Sequence, residues 1–360
     1  MTDSRGPSRP PGPLGPVAAL RRIAFLLERG REDTYKVKAF RGAAAAILPL
    51  PEDDVVRAVE EGTLTDLPGV GASSARVIAA AARGEVPERL AALEGQYAGP
   101  LTEGGADLRA ALRGDLHSHS DWSDGGSPIE EMAMTAIELG HDYLVLTDHS
   151  PRLKIARGLS AERLTRQLGV VDAVNDHLAG PAAGGAFTLL KGIEVDILDD
   201  GSLDQTDDLL ARLDVRVASV HSKLKMDAAP MTKRMIGAVR NPRTNVLGHC
   251  TGRLVTGGRG TRAQSAFDAR AVFAACAEHD VAVEINSRPE RRDPPSDLLA
   301  LARDAGCVFS IDSDAHAPGQ LDFLVLGCER AEEAGIDAER IVNTWERDRL
   351  LEWARKERRT

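Results

Sequence analysis

Seven short apolar runs recur between residues 114 and 316, and each stops at a residue able to donate a lone pair. Leu116 leads into His117. Leu144–Thr147 precedes Asp148 and His149, Leu189–Ile193 precedes Glu194, and Val215–Val220 precedes His221. Val246–Gly248 precedes His249, Val281–Ile285 precedes Asn286, and Val308–Ile311 precedes Asp312, Asp314 and His316. Stretches with helical spacing lie between them: Ile129 to Leu139, Ser160 to Leu178, Met231–Val239, Asp268 to His279 and Ser296–Ala305. A short helix is expected within Leu203–Leu213, and an amphipathic one over Trp345–Glu357. Strands alternating with helices of this length pair in parallel through right-handed crossovers, and seven such units can close into a barrel. In parallel barrels the chemistry sits at the carboxyl ends of the strands. Six of the seven ends carry His, Asp or Glu, which describes a site for several metal ions.

The strongest single element is Asp115-Leu116-His117-Ser118-His119-Ser120. Residues i and i+2 of a strand share a face, so His117 and His119 can hold one cation from one strand end. A His-x-His pair alone is more often simply packed; its repetition down the chain sets this one apart. Ser127-Pro128-Ile129-Glu130 reads as a capping box with proline at the first helical position, and Ser160 and Asp268 read as caps. Asp148, Asp115 and Asp312 are candidates to orient ligands. For Asp115 and Asp312, a plain strand-end or turn carboxylate is an equal alternative. His141, His177 and His279 fall at helix ends and take no role.

The net charge of −10 argues against a protein that coats nucleic acid non-specifically. Residues 1–95 carry 13 basic and 13 acidic side chains, so the whole excess lies beyond them. Met1–Pro16 is rich in Pro and Gly and is expected to be a disordered tail. Nothing resembles a signal peptide or a membrane span. Cys250, Cys276, Cys307 and Cys328 form neither a close pair nor a zinc-finger spacing, which fits a reducing cytoplasm as the expected location.

Amphipathic helices are expected over Val17–Arg29, Val37–Leu48, Glu52–Glu61 and Ala72–Ala82. The turn Leu67-Pro68-Gly69-Val70-Gly71 resembles the hairpin of a helix-hairpin-helix module. Its glycines let backbone amides at a helix N-terminus face a phosphate, reading backbone and not bases. The preceding helix carries Tyr35, Lys36, Lys38 and Arg41. Taken singly, the turn is also an ordinary Gly-rich connection and the cluster a solvated face. Together, residues 17–94 resemble the small N-terminal DNA-end-binding domain of family X DNA polymerases, on the runs 35–41 and 61–71. The resemblance implies DNA contacts from Lys36, Lys38, Arg41, Gly69 and Gly71. Ser73–Ala82 contains Arg76 and no lysine, so no lyase chemistry is expected. Residues 95–113 read as a Gly/Ala linker that leaves no room for a polymerase palm, so no polymerase activity is expected.

Residues 114–360 resemble a PHP (polymerase and histidinol phosphatase) domain. The matching pieces are Asp-Leu-His-Ser-His-Ser (115–120), Ser-Asp-Gly (123–125), Thr-Asp-His-Ser (147–150), Gly-Ile-Glu-Val-Asp-Ile (192–197), Ser-Val-His-Ser (219–222), Gly-His (248–249) and Asp-Ser-Asp-Ala-His (312–316). The implied fold is α/β: a distorted (β/α)7 TIM-like barrel preceded by a small all-α helix-hairpin-helix domain. The implied metal ligands are His117, His119, Asp124, His149, Glu194, His221, His249, Asp314 and His316, holding two or three divalent ions. By resemblance, His117, His119, Glu194 and Asp314 hold the first, Glu194 bridges to a second completed by His221 and His249, and Asp124, His149 and His316 hold the third. His117, His119, Glu194, His221 and Asp314 are then the catalytic set. Imidazole with carboxylate suits Mn²⁺, Zn²⁺ or Fe²⁺. Cys250 stands where the family usually has proline and is expected to be inert. Lys223, Lys225, Arg253, Arg259 and Arg288 follow strands four to six and are candidates to steer a phosphate, although each alone is more often a solvated charge. Gly257-Gly258-Arg259-Gly260 is a flexible loop suited to a lid.

The leading expectation is a metal-dependent phosphoesterase working on DNA ends in repair: 3′-to-5′ exonuclease, 3′-phosphatase or abasic-site processing. The alternative is a small-molecule phosphatase of histidinol-phosphatase type. A DNA-binding protein with a relic site is a third reading, against which all nine ligand positions hold competent residues. No membrane partner is expected, and protein partners are left open.

Overall fold

The helical periods near the N-terminus form five α-helices in the computed structural model, which describes residues 12–179, 187–257 and 260–356. They are α1 (Pro16–Arg29), α2 (Thr34–Ile47), α3 (Glu52–Glu61), α4 (Ala72–Ala82) and α5 (Glu88–Tyr97). They belong to a compact unit that ends at Pro100; a second unit begins at Leu101. Leu20, Ile23, Leu27, Phe40, Ile47, Ile78 and Leu93 are buried in the first unit, as the 3.6-residue spacing of their helices requires. Helix α2 starts three residues before the expected Val37, because Asp33 accepts a hydrogen bond from the Tyr35 amide at 2.7 Å and caps it. Helix α3 stops at Gly62, whose φ of 71° is the left-handed C-cap conformation.

The second unit opens with α6 (Ala106–Ala111) and alternates strand and helix from there. Its elements are β1 (Gly114–Ser118), α7 (Ile129–Glu138), β2 (Tyr143–Leu146), α8 (Ala161–Leu178), β3 (Thr188–Asp196), α9 (Asp207–Leu210) and β4 (Val215–Ser219). There follow α10 (Ala228–Val239), β5 (Val246–Leu247), α11 (Ala269–Glu278), β6 (Ala282–Asn286), α12 (Ser296–Asp304), β7 (Phe309–Asp312), α13 (Leu324–Glu333) and α14 (Arg347–Arg355). The seven strands form one sheet in sequence order, every pairing parallel. A bridge between Ser118 and Ala315 brings the end of β1 to the segment after β7, so the sheet nearly closes. Every residue of β1, β2, β4, β5, β6 and β7 is buried, as expected of a parallel sheet covered on both faces. This is the α/β architecture expected from the seven runs. No helix among the described residues is long and apolar enough to cross a membrane.

Several local expectations are corrected. Residues 95–113 are not all linker: α5 continues to Tyr97, and α6 is held by Glu329 and Glu332, which accept from the amides of Gly104 and Gly105 at 3.2 and 2.7 Å. The capping box at Ser127 does not form. Pro128 is the N-cap of α7, and the buried Ser127 hydroxyl makes no hydrogen bond. Ser160 and Asp268 do cap α8 and α11. The last helix starts at Arg347, two residues after Trp345. Helix α13 was not anticipated. The tail up to residue 11 and the turn at 180–181 lie outside the described residues.

Candidate metal centre

Each strand delivers its donor by the geometry of its end. His117 lies in β1 and His119 one residue past it, with ring centroids 5.1 Å apart. Glu194 lies within β3, and its two oxygens are the hub of the site. Glu194 Oε2 is 3.3 Å from His117 Nε2, 3.6 Å from His119 Nε2 and 2.9 Å from His149 Nδ1. Glu194 Oε1 is 3.1 Å from His221 Nε2 and 2.8 Å from His249 Nε2. Asp314 Oδ1 lies 3.4 Å from His119 Nε2. Asp124 Oδ1 lies 3.4 Å from His149 Nε2 and 3.3 Å from His316 Nε2. All nine expected ligands therefore meet at one end of the barrel.

Four donor groups lie within metal-binding reach: His119, Asp124, His149 and His316; His117, His119 and Asp314; His117, Glu194 and His249; and His149, Glu194 and His221. Their overlap differs in detail from the expected sharing. His119 also approaches the Asp124 group, and the Glu194–His221–His249 set divides between two groups.

The arrangement fits cations. Nε2 of His117, His119 and His221, Nδ1 of His149 and Glu194 Oε2 are buried and make no hydrogen bond. A buried polar atom without a partner costs about 1–3 kcal/mol. Several gathered in one pocket call for ions. The electrostatics agree. Burial opposes protonation of His117, yet Glu194 and Glu284 raise it well above the usual imidazole range. Burial, with His316 and His149, brings His119 down to about 3. Burial works against the Glu194 carboxylate, which its histidines hold well below the usual range.

The ligands are themselves held. Glu284 Oε1 lies 2.5 Å from His117 Nδ1, and its Oε2 accepts from the His249 amide at 2.5 Å. Asp196 accepts from His221 Nδ1. The Asn286 amide spans Glu284 and Asp314 at 3.2 Å each, and Arg291 Nε donates to Asp314 at 3.0 Å. Asp314 itself sits at φ 49°, a conformation that Asp tolerates better than most residues. Sequence reasoning missed Glu284, Asp196, Asn286 as a bridge, and Arg291. A signal existed for two of them. Asp196 is two residues after Glu194 on β3, and Glu284 two before Asn286 on β6, the spacing that ties His117 to His119.

Other expectations are redirected. Asp148 bonds no histidine among the described residues. It accepts from the amide and hydroxyl of Ser120 at 2.9 and 2.6 Å and from Gln167 Nε2 at 2.6 Å, fixing the loop after β1 to α8. Asp115 accepts from the Ser313 amide and Asp312 from the Leu116 amide, so both stitch β1 to β7. Of the phosphate candidates, Arg288 reaches the site, its Nη1 3.1 Å from His316 Nδ1. Arg253 is a brace, because it donates to the carbonyls of Arg291 and Arg292. Lys223 is exposed and paired with Asp199 at 2.5 Å, and Lys225 is exposed. Arg259 and Gly258, the middle of the proposed lid, lie outside the described residues. Cys250 is buried, and burial pushes its thiol up, as suits an inert side chain.

In the helical unit, Lys38 is exposed and Lys36 pairs with Glu32 at 2.8 Å. Arg41 is committed elsewhere: its guanidinium grips the buried Glu28 at 2.8 Å. Gly69 turns with φ 90°. The Gly71 amide donates to Ser74 Oγ at 3.0 Å, which occupies one of the amides expected to face a phosphate.

The PHP domain profile matches residues 115–288. A protein of Aeromonas hydrophila subsp. hydrophila named "Probable phosphatase" is 31% identical over 242 residues, 63% of this chain and 88% of that protein. The chain belongs to the PHP family. As a PHP phosphoesterase it is a hydrolase acting on phosphoester bonds. A helix-hairpin-helix domain profile matches residues 15–85, ahead of the PHP domain. The DNA polymerase/3'-5' exonuclease PolX of Bacillus subtilis is 37% identical over 232 residues, 64% of this chain, and the chain spans 39% of that relative's length. A crystal structure of histidinol phosphate phosphatase from Lactococcus lactis subsp. lactis, complexed with zinc, L-histidinol and phosphate, aligns at TM-score 0.44 and 17% identity. It covers 63% of this chain and 95% of that one.

Proposed function

We propose that this PHP phosphoesterase hydrolyses phosphate esters at DNA ends through a trinuclear site built by His117, His119, Asp124, His149, Glu194, His221, His249, Asp314 and His316. The observation that carries the hydrolytic part is the gathering of these nine donors into four overlapping groups at one end of the barrel, with buried ring nitrogens left without hydrogen bonds. These residues would hold divalent ions, which when bound would supply Lewis acidity and an activated water for phosphoester hydrolysis. The protein groups keep the donors in place. Glu284 and Asp196 orient His117 and His221, Asn286 and Arg291 steady Asp314, and Arg288 offers a cation beside His316 for a phosphate oxygen.

The DNA part rests on the pairing of a helix-hairpin-helix domain with the PHP domain in one chain, and on similarity to a PolX polymerase/exonuclease. Lys36, Lys38, Gly69 and Gly71 would then contact backbone phosphates, and the protein would act in the cytoplasm. Arg41, spent on Glu28, would support the helix that carries them. Mn²⁺, Zn²⁺ and Fe²⁺ all suit the donor set. The test is a labelled 3′-recessed duplex incubated with full-length protein and Mn²⁺. Wild type shortens or dephosphorylates the 3′ end, and His221→Ala does not. An inactive wild type, or equal processing by the variant, refutes the reading. A small-molecule phosphatase is the second reading, because 242 residues of this chain match 88% of the "Probable phosphatase" relative's length. Comparing rates on histidinol phosphate and a nucleoside 3′-phosphate separates the two.

A further inference from the structure

The donors are recessed. Glu194 and His117 are shut away from solvent, while the side chains of Asp124 and His316 keep 30% and 20% of their exposure, so substrate enters on their side. At a recessed site a paired end presents its terminal phosphate less freely than an unpaired one, and enzymes that work on a group held within a duplex first take the nucleotide out of it.

The segment between His149 and Leu159 borders that entrance. It leaves a donor and is closed by the Leu159 amide on the His149 carbonyl at 2.7 Å. Arg157 ties it to the carbonyls of Asp121 and Ser123, next to Asp124. Asp204 accepts from the Ser150 hydroxyl at 2.9 Å and the Arg152 amide at 2.6 Å. The closure is so tight at Gly158 that a Cβ there would stand 1.9 Å from the Ser150 carbonyl oxygen. On this braced loop Ile155 is 93% exposed. Single exposed aliphatic residues are ordinary on protein surfaces. This one sits on a rigid support at the mouth of a site, beside Lys154 and near Arg152, both exposed, in a run from Ser150 to Ser160 with no acidic residue. The run carries Arg152 and Lys154 to the surface, with Asp199 and Asp204 as the acidic neighbours of Arg152.

We infer that Ile155 is a wedge that packs against the last base pair and parts the terminal nucleotide from its complement, while Arg152 and Lys154 hold the flanking backbone phosphates. The inference rests on the DNA-end reading and names the form of end that the site takes. Apolar side chains that enter a base step unstack it, and cations beside them neutralise the phosphates they displace.

The test uses full-length protein with Mn²⁺ and two duplexes of one sequence, one fully paired and one with a few unpaired terminal nucleotides. A small chromogenic phosphodiester, bis(p-nitrophenyl) phosphate, is run alongside. The readout is the ratio of rates, unpaired over paired. Removing a wedge that supplies part of the few kcal/mol of unstacking raises that ratio about tenfold or more in Ile155→Ser. Ile155→Leu, which keeps an aliphatic side chain, holds it near wild type. A ratio unchanged in Ile155→Ser overturns the wedge while leaving DNA as substrate. Wild type that cleaves the chromogenic ester and neither duplex overturns the DNA reading, and the wedge with it.

Discussion

The two units use charge in opposite ways. At the barrel end nine donors are drawn into one pocket, shut from solvent at Glu194 and His117, with carboxylates and imidazoles closer together than an ion-free interior favours. In the helical unit Lys36 and Lys38 stay exposed, and the guanidinia drawn inward are matched, Arg41 by Glu28 and Arg29 by the Gly99 carbonyl. The contrast separates two kinds of function. Groups that must hold ions accept a large desolvation cost and need a network to keep them aligned. Groups that only meet a phosphate backbone work from the surface, where each is worth little alone.

Substitutions can break this contrast, and the largest effect belongs to the barrel. His221→Ala is expected to lower phosphoester hydrolysis by roughly 10³-fold, the several kcal/mol that metal assistance is worth. Steady-state kinetics with Mn²⁺ measures it, and a loss of only a fewfold would place His221 outside the working site. Next comes Arg41→Ala, which takes the guanidinium away from Glu28, whose side chain is 4% exposed. Removing one member of a buried ion pair costs about 3 kcal/mol, to be read by urea unfolding of the full chain. If stability is unchanged while DNA affinity falls, Arg41 contacts DNA and the assignment to Glu28 is wrong.

A smaller effect sharpens the account of the barrel. Glu284→Gln keeps the shape beside His117 and removes the charge, so divalent-ion affinity should drop about 10- to 100-fold. Metal content after dialysis against a graded chelator reports it independently of turnover, and Glu284→Asp should recover part of it. Smallest of all, Lys38→Ala should weaken DNA binding only slightly and reduce the slope of log affinity against log salt by about one. A fluorescence-anisotropy titration at several salt concentrations distinguishes this from no contact.

The strand ends were legible because a strand's period is two and its tip is fixed by the run that precedes it. Each of His117, His119, Glu194, His221 and His249 could be placed from its own neighbours. Asp196 obeyed the same period and was within reach of the same logic. Glu284 was harder. It lies inside β6, and its partners, His117 and the His249 amide, are 167 and 35 residues away. Arg291 and Asn286 are of the same kind, since they come from a loop and a strand tip whose meeting with Asp314 depends on how β6 and β7 pair.

The sequence alone determined the alternation of strand and helix, the parallel sheet and the candidate donors at the strand ends, because these follow from local periodicity and residue type, whereas Asp124, in the loop after β1, came only from the family resemblance. Tertiary structure alone decided which donors share Glu194, that Asp148 serves a loop instead of a ligand, and that Arg41 and Arg253 are braces. A lysine or arginine reaches several ångströms in any direction, and burial is set by whatever packs above it. Its partner is therefore a property of the closed fold and not of its neighbours in the chain.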